Sequence, residues 1–107
     1  MTRIAIIGFG EVGGIFARDL AAAGAAITAF DTADAARARA ERAGVAAFDA
    51  VAAARGANIV FVCVTAGSVL AAMRSLAGGL GHAPLVVDIN SVSPATKQRA
   101  AAMWKPP

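Results

Sequence analysis

Three glycines at fixed spacing, set between two apolar segments of different period, constrain this chain more than any other feature. They lie in Gly8-Phe9-Gly10-Glu11-Val12-Gly13. Ahead of them Ile4-Ala5-Ile6-Ile7 is a continuous apolar run, which predicts a short strand covered on both faces. Behind them Val12, Ile15, Phe16, Leu20 and Ala23 recur at helical spacing and Gly24 supplies a stop, which predicts a helix over 12–23. A strand that turns straight into a helix needs its first glycine for the tight turn and its third for close packing of helix on strand. The second leaves bare backbone against which a diphosphate fits. The unpaired amides and partial positive charge of the helix start then face that anion. Spacing alone is weak in a chain so rich in alanine and glycine; its place between strand and helix gives it weight. Glycines that serve only the turn remain the alternative.

The alternation continues along the chain. Residues 26–30 predict a second strand ending at Asp31, and Thr32 or Asp34 is suited to cap a helix over 35–43 that Gly44 closes. A weaker third strand is expected over 45–48, then a short helix capped by Asp49 and ended by Gly56. Residues 58–64 make the strongest strand signal, followed by a helix over 68–76 that stops at Gly78-Gly79. A fifth strand is expected over 85–89, and Pro94 opens a last helix running to about Trp104. Strands and helices in strict alternation require parallel pairing with helical crossovers. The expected fold is α/β, a Rossmann doubly wound parallel sheet of about five strands in order 3-2-1-4-5, in one domain spanning 1–107.

Asp31 stands 18 residues beyond Gly13, at the end of the second predicted strand. An acid there reaches the adenosine ribose, accepts from its hydroxyls and repels a 2′-phosphate, so NAD is expected over NADP. The alternative is that Asp31 only caps the next helix, and Arg37 and Arg39 stand close to it in sequence. Composition narrows the partners further. The chain is 58% hydrophobic and 16% charged with net charge +3 and no tyrosine, and its arginines are scattered through alanine-rich helical segments. A solvated helix face explains them better than a nucleic-acid patch. Cys63 is the only cysteine and sits in an apolar run, so it reads as a small buried hydrophobe, with no oxidising compartment indicated. The first apolar run is too short for a signal peptide, and no stretch of about twenty apolar residues lacks glycine or charge. A soluble cytoplasmic protein that binds neither membrane nor metal is expected.

The residues Ile4 to Gly13, with Ala17, Leu20, Ala23-Gly24 and Phe30-Asp31, resemble the N-terminal motif of the β-hydroxyacid dehydrogenases, which include 3-hydroxyisobutyrate and 6-phosphogluconate dehydrogenases. A second match is Asp88-Ile89-Asn90-Ser91-Val92-Ser93-Pro94, similar to the family segment that approaches nicotinamide and substrate. The commoner family form is Asp-x-Ser-Thr; Asn90-Ser91 is closer to the 6-phosphogluconate dehydrogenase form. The resemblance implies cofactor contacts from Gly8, Phe9, Gly10, Glu11, Val12, Gly13, Asp31, Val64, Thr65 and Ser91, with Asn90 and Ser91 facing substrate. Val64-Thr65 replaces the usual Leu-Pro, which leaves that contact less defined. Asn90-Ser91 also fits a plain turn before Pro94.

The same resemblance implies a sixth strand, a C-terminal helical domain for substrate and dimerisation, and a lysine general acid/base, all beyond residue 107. No catalytic residue is therefore expected within the chain. Lys97 and Lys105 fall in the wrong segment, and His82 sits in a glycine loop where nothing nearby orients it. The leading expectation is the cofactor-binding part of an oxidoreductase that moves a hydride between a nicotinamide cofactor and a small hydroxy acid, binding cofactor without turnover by itself. The alternatives are a stand-alone NAD- or adenylate-binding regulatory module, and a fragment of a prephenate or pyrroline-carboxylate type enzyme. An uncovered sheet edge predicts self-association or a homo-oligomer.

Overall fold

The computed structural model describes residues 1–64, 68–76, 80–81, 84–89 and 94–103. Strand β1 (Arg3–Ile7) leads into helix α1 (Glu11–Ala22), β2 (Ala26–Phe30), α2 (Asp34–Arg42) and α3 (Ala50–Ala54). Strand β3 (Ile59–Val62), α4 (Val69–Leu76), β4 (Leu85–Asp88) and α5 (Pro94–Met103) complete the order. All described strand pairs are parallel, and the sheet runs β2-β1-β3-β4. This is the Rossmann-like α/β architecture, with four strands among the described residues where five were expected.

The missing strand is the predicted one at 45–48. Only Ala46 pairs, in a parallel bridge to Ala29, where the Ala29 and Ala47 amides donate to the Val45 and Ala29 carbonyls at 2.7 and 2.8 Å. Gly44 at φ 74° ends the preceding turn and Asp49 already caps α3, so the intervening four residues touch β2 at one point. Phe48 is left 91% exposed. The segment runs beside β2 on the side away from β1, the place foreseen for it, without becoming a strand.

Period-2 alternation explains the two cores, because successive strand residues face opposite sides. Ile4, Ile6 and Ala29 meet Ala17 of α1 and Ala36 and Ala40 of α2. Ala5, Ile7, Val60 and Val62 meet α3, Met73 and Leu76 of α4 and Ala100 of α5. Helices thus cover both faces of the sheet. The rings of Phe16 and Phe61 stack with centroids 5.7 Å apart on the first side.

Two local expectations need correction. The buried side of α1 is Gly13 and Ala17, flanked by half-buried Phe16 and Leu20, whereas Val12 and Ile15 are 53% and 44% exposed. Close approach to β1 selects the small residues, so the inward face turns away from the larger Val12 and Ile15. Neither Thr32 nor Asp34 caps α2; its N-cap is Ala33 with no side-chain bond. Asp49 does cap α3, its Oδ1 accepting from the Ala52 amide at 2.7 Å. Among the described residues no helix is long and apolar enough to cross a membrane.

Candidate nucleotide-binding site

From β1 the chain leaves to one side, through α1 to β2. It then returns through α3 to β3 on the other side of β1. The connections that leave the carboxyl ends of β1 and β3 therefore run in opposite directions, and a crevice opens where ligands bind in open α/β sheets. A cleft of about 320 Å³ lies there. Ile7 and Gly8 form its floor, Phe30, Asp31 and Thr32 one wall, and Asp49, Ala50 and Val51 another. Val64 follows β3, and Ser68, just ahead of α4, closes it with Ala71, Ala72 and Ser75 of that helix.

The three glycines of the turn differ in what surrounds them. Gly8 has φ 103°, and a Cβ there would lie 2.3 Å from the Cys63 carbonyl oxygen, so both conformation and the passing exit of β3 demand glycine. A Cβ on Gly13 would lie 2.0 Å from the Gly8 oxygen, within the helix–strand contact. Gly10 is different. A Cβ there would meet nothing within 4 Å, and its extended backbone at φ −77°, ψ −156° suits any residue. Nothing described within the chain requires glycine at that position. It is the N-cap of α1 and makes no side-chain cap bond, so the first-turn amides of the helix, which have no intrahelical acceptor, stand beside open ground. That cradle fits the diphosphate of a dinucleotide.

Asp31 meets the turn directly. Its Oδ2 accepts from the Phe9 amide at 2.7 Å and its Oδ1 from the Ala33 amide at 2.8 Å. The carboxylate thus does more than lead into α2: it joins the glycine turn to the end of β2 and lines the cleft. Arg37 donates to the Asp31 and Thr32 carbonyls at 3.1 and 2.6 Å and pairs with the Asp34 carboxylate. Thr28 Oγ1 donates to the Ala53 carbonyl at 2.6 Å and ties β2 to α3 beneath the cleft.

Of the residues expected at the site, Gly8, Asp31 and Val64 line this cleft together. Phe9 contributes backbone, its side chain being only 5% exposed in the core. Glu11 and Val12 are exposed in the first turn of α1. Thr65, Asn90 and Ser91 lie outside the described residues, as does His82. Cys63 is half-buried, and burial, aided by the Asp88 charge, pushes its thiol up to about 11. It is a neutral packing residue rather than a nucleophile.

Sequence reading missed the far wall. Ser68, Ala71, Ala72 and Ser75 fall at i, i+3, i+4 and i+7, a small and polar helix face whose period was legible. Asp49 was read only as a cap, yet it lines the cleft as well.

The family model described as NADP oxidoreductase, coenzyme F420-dependent, matches residues 3–91. The chain belongs to this family. The match runs from the start of β1 through the 90–91 pair, so it takes in the glycine turn, Asp31 and the whole cleft. Among solved structures, 3-hydroxyisobutyrate dehydrogenase of Mycobacterium tuberculosis, in a structure with L-serine, is similar at 27% identity and TM-score 0.87. It is matched over 96% of this chain and 36% of its own. A conserved hypothetical protein of Sinorhizobium meliloti 1021 is similar at 37% identity and TM-score 0.81, over 96% and 37%. Arogenate dehydrogenase of Synechocystis follows at 25% identity and TM-score 0.83, over 97% and 38%. The chain therefore spans little more than a third of these relatives. No curated protein sequence matches it. Its architecture is the nucleotide-binding fold of NAD(P)-type oxidoreductases, similar to that of 3-hydroxyisobutyrate dehydrogenase.

Proposed function

We propose that this member of the family is the cofactor-binding domain of an oxidoreductase acting on a small hydroxy acid, and that it binds NAD in preference to NADP. The observation that carries the reading is Gly10: a glycine that no described internal contact explains, at the uncapped start of α1, facing space that a diphosphate fills. The likeness to 3-hydroxyisobutyrate dehydrogenase supports the substrate class.

When bound, the nicotinamide cofactor supplies the hydride chemistry. The chain's own part is to hold and orient. Backbone amides of Gly10, Glu11, Val12 and Gly13 receive the diphosphate, and the α1 dipole adds positive charge at the same point. Asp31 accepts from the ribose hydroxyls with lone pairs left over from its two amide bonds, and its charge repels a 2′-phosphate. Ile7, Val51, Val64 and Ala72 exclude water around the adenine, while Asp49, Ser68 and Ser75 offer polar atoms at its edge. Binding without turnover by this chain alone is part of the proposal. Asn90 and Ser91 are proposed to meet nicotinamide and substrate.

The family description names NADP, and Arg37 beside Asp31 gives that second reading a physical basis. Calorimetric titration with NAD, NADP and AMP separates the two. Binding in the order NAD, then AMP, with NADP weakest supports the proposal. NADP tightest transfers the site to the second reading, and no binding of any of the three overturns both.

A further inference from the structure

We propose that Arg39, on α2, is a positioning residue for the phosphate corner, gripping Phe9 together with Asp31 and so setting the direction of the Gly10 amide. The proposal rests on the nucleotide-binding reading above. Phe9 lies between the two glycines of the turn that flank the strand exit, and it is held from three sides. Its side chain is in the core, its N–H is given to Asp31 Oδ2 at 2.7 Å, and its carbonyl accepts from Arg39 Nη2 at 3.3 Å. The acid comes from the end of β2 and the base from the second turn of α2, so both partners are set by the ribose side of the fold.

The consequence follows from peptide planarity. No peptide bond in the described chain is cis, so the Gly10 N–H points opposite to the Phe9 carbonyl across one rigid plane. Holding that carbonyl toward Arg39 aims the Gly10 N–H away from it. Without the guanidinium the Phe9–Gly10 plane is anchored only from its two neighbours, by the Phe9 amide and side chain on one side and by the Gly14 N–H given to the Gly10 carbonyl at 2.9 Å on the other, and the plane between them can rock. Gly10 has no side chain and no neighbour within 4 Å of its Cβ position to stop it. Arg37 cannot substitute, because its guanidinium is engaged on Asp31, Thr32 and Asp34. Arg39 therefore acts on the diphosphate through the main chain and does not need to touch it.

The test compares wild type, Arg39→Met and Arg39→Lys by titration with adenosine, ADP and NADP, alongside the amide resonance of Gly10 in proton–nitrogen spectra. Loss of one charge-assisted bond predicts ADP affinity about fivefold lower in Arg39→Met, with adenosine unchanged within about twofold. The lysine variant, which restores a charged donor, recovers most of the ADP affinity and returns the Gly10 resonance toward its wild-type position. Equal weakening of adenosine and ADP, or a Gly10 resonance that does not move in Arg39→Met, overturns the assignment. So does an effect confined to NADP, which would make Arg39 a 2′-phosphate ligand. Wild type that takes adenosine and ADP while Arg39→Met matches it defeats this proposal alone. Wild type that takes neither defeats the nucleotide-binding reading and this proposal together.

Discussion

Replacing Gly13 by alanine should unfold this protein at lower temperature, although it puts a better helix former inside a helix. In an open helix the exchange stabilises by about 0.8–1 kcal/mol. Here the new Cβ would lie 2.0 Å from the Gly8 carbonyl oxygen, 3.1 Å from its carbon and 3.3 Å from Ile6 Cγ2. The obstacle is backbone at the turn, so no rotamer relieves it, and α1 has to retreat by about 1 Å merely to reach the 3.0 Å below which such contacts essentially never fall. A gap of that size forfeits a quarter to a half of each dispersion contact it opens. The contacts at risk are those of Phe16, Ala17 and Leu20 against Ile4, Ile6 and Phe61. Overpacking of this kind costs about 1–3 kcal/mol, and the absence of a flexible neighbour places it near the upper end. Net of the propensity gain, a loss of about 2 kcal/mol is expected, or a Tm lower by roughly 10 °C for a domain of this size. Gly14→Ala is the matched control, one residue along the same helix with nothing within 4 Å of the new atom. It should raise Tm by about 4 °C. Thermal unfolding followed by circular dichroism measures both. A Gly13→Ala protein as stable as Gly14→Ala would refute the claim that the helix is seated on the Gly8 carbonyl.

Three further outcomes follow from the geometry. Asp31→Ala removes the acceptor of the Phe9 and Ala33 amides along with the ribose ligand, so NAD affinity should fall about tenfold, ~1.4 kcal/mol, while NADP loses less; unchanged NAD binding by calorimetry would remove Asp31 from the site. The Cys63 thiol ionises near its ordinary 9.0 when unfolded and at about 11 when folded, so stability is level below pH 9 and falls as pH rises from about 9 to about 11. Urea titrations across that range should show the fall in wild type and lose it in Cys63→Ala; a fall of equal size in both would assign it elsewhere. Leu85 is 63% exposed on β4, the edge of the described sheet, and Leu85→Lys should reduce self-association seen by light scattering at high concentration without changing NAD affinity; a wild-type chain that stays monomeric would contradict it.

Much of the architecture was legible because two periods, 2 and 3.6, alternate along the chain with glycine at the joints. The central strands are continuous apolar runs and were found where they lie. The segment at 45–48 misled because Val45 and Phe48 carry strand-like composition, whereas pairing there depends on how much chain Gly44 and Asp49 leave between a turn and a helix cap. Val12 and Ile15 misled for another reason. Hydrophobic periodicity weights large side chains, but a helix that must approach a strand at van der Waals distance turns its small residues, Gly13 and Ala17, inward. At the site, Gly8 to Gly13 and Asp31 were readable because each acts through local geometry at a strand end. The serine and alanine face of α4 became part of the cleft only through its packing across from α3, a relation no local pattern carries. The grip of Arg39 on Phe9 spans 30 residues and is likewise a product of the fold.

Gly10→Ala gives the most direct test. The added methyl meets no protein atom within 4 Å and the backbone there is extended, so the variant should stay folded and melt only a few degrees below wild type, the loss coming from alanine being the poorer N-cap. Its affinity for ADP and NAD should nevertheless drop by at least about tenfold, because the methyl occupies the ground on which the diphosphate rests. Calorimetric titration of folded Gly10→Ala with NAD decides the matter: undiminished binding would show that no phosphate lies against the start of α1.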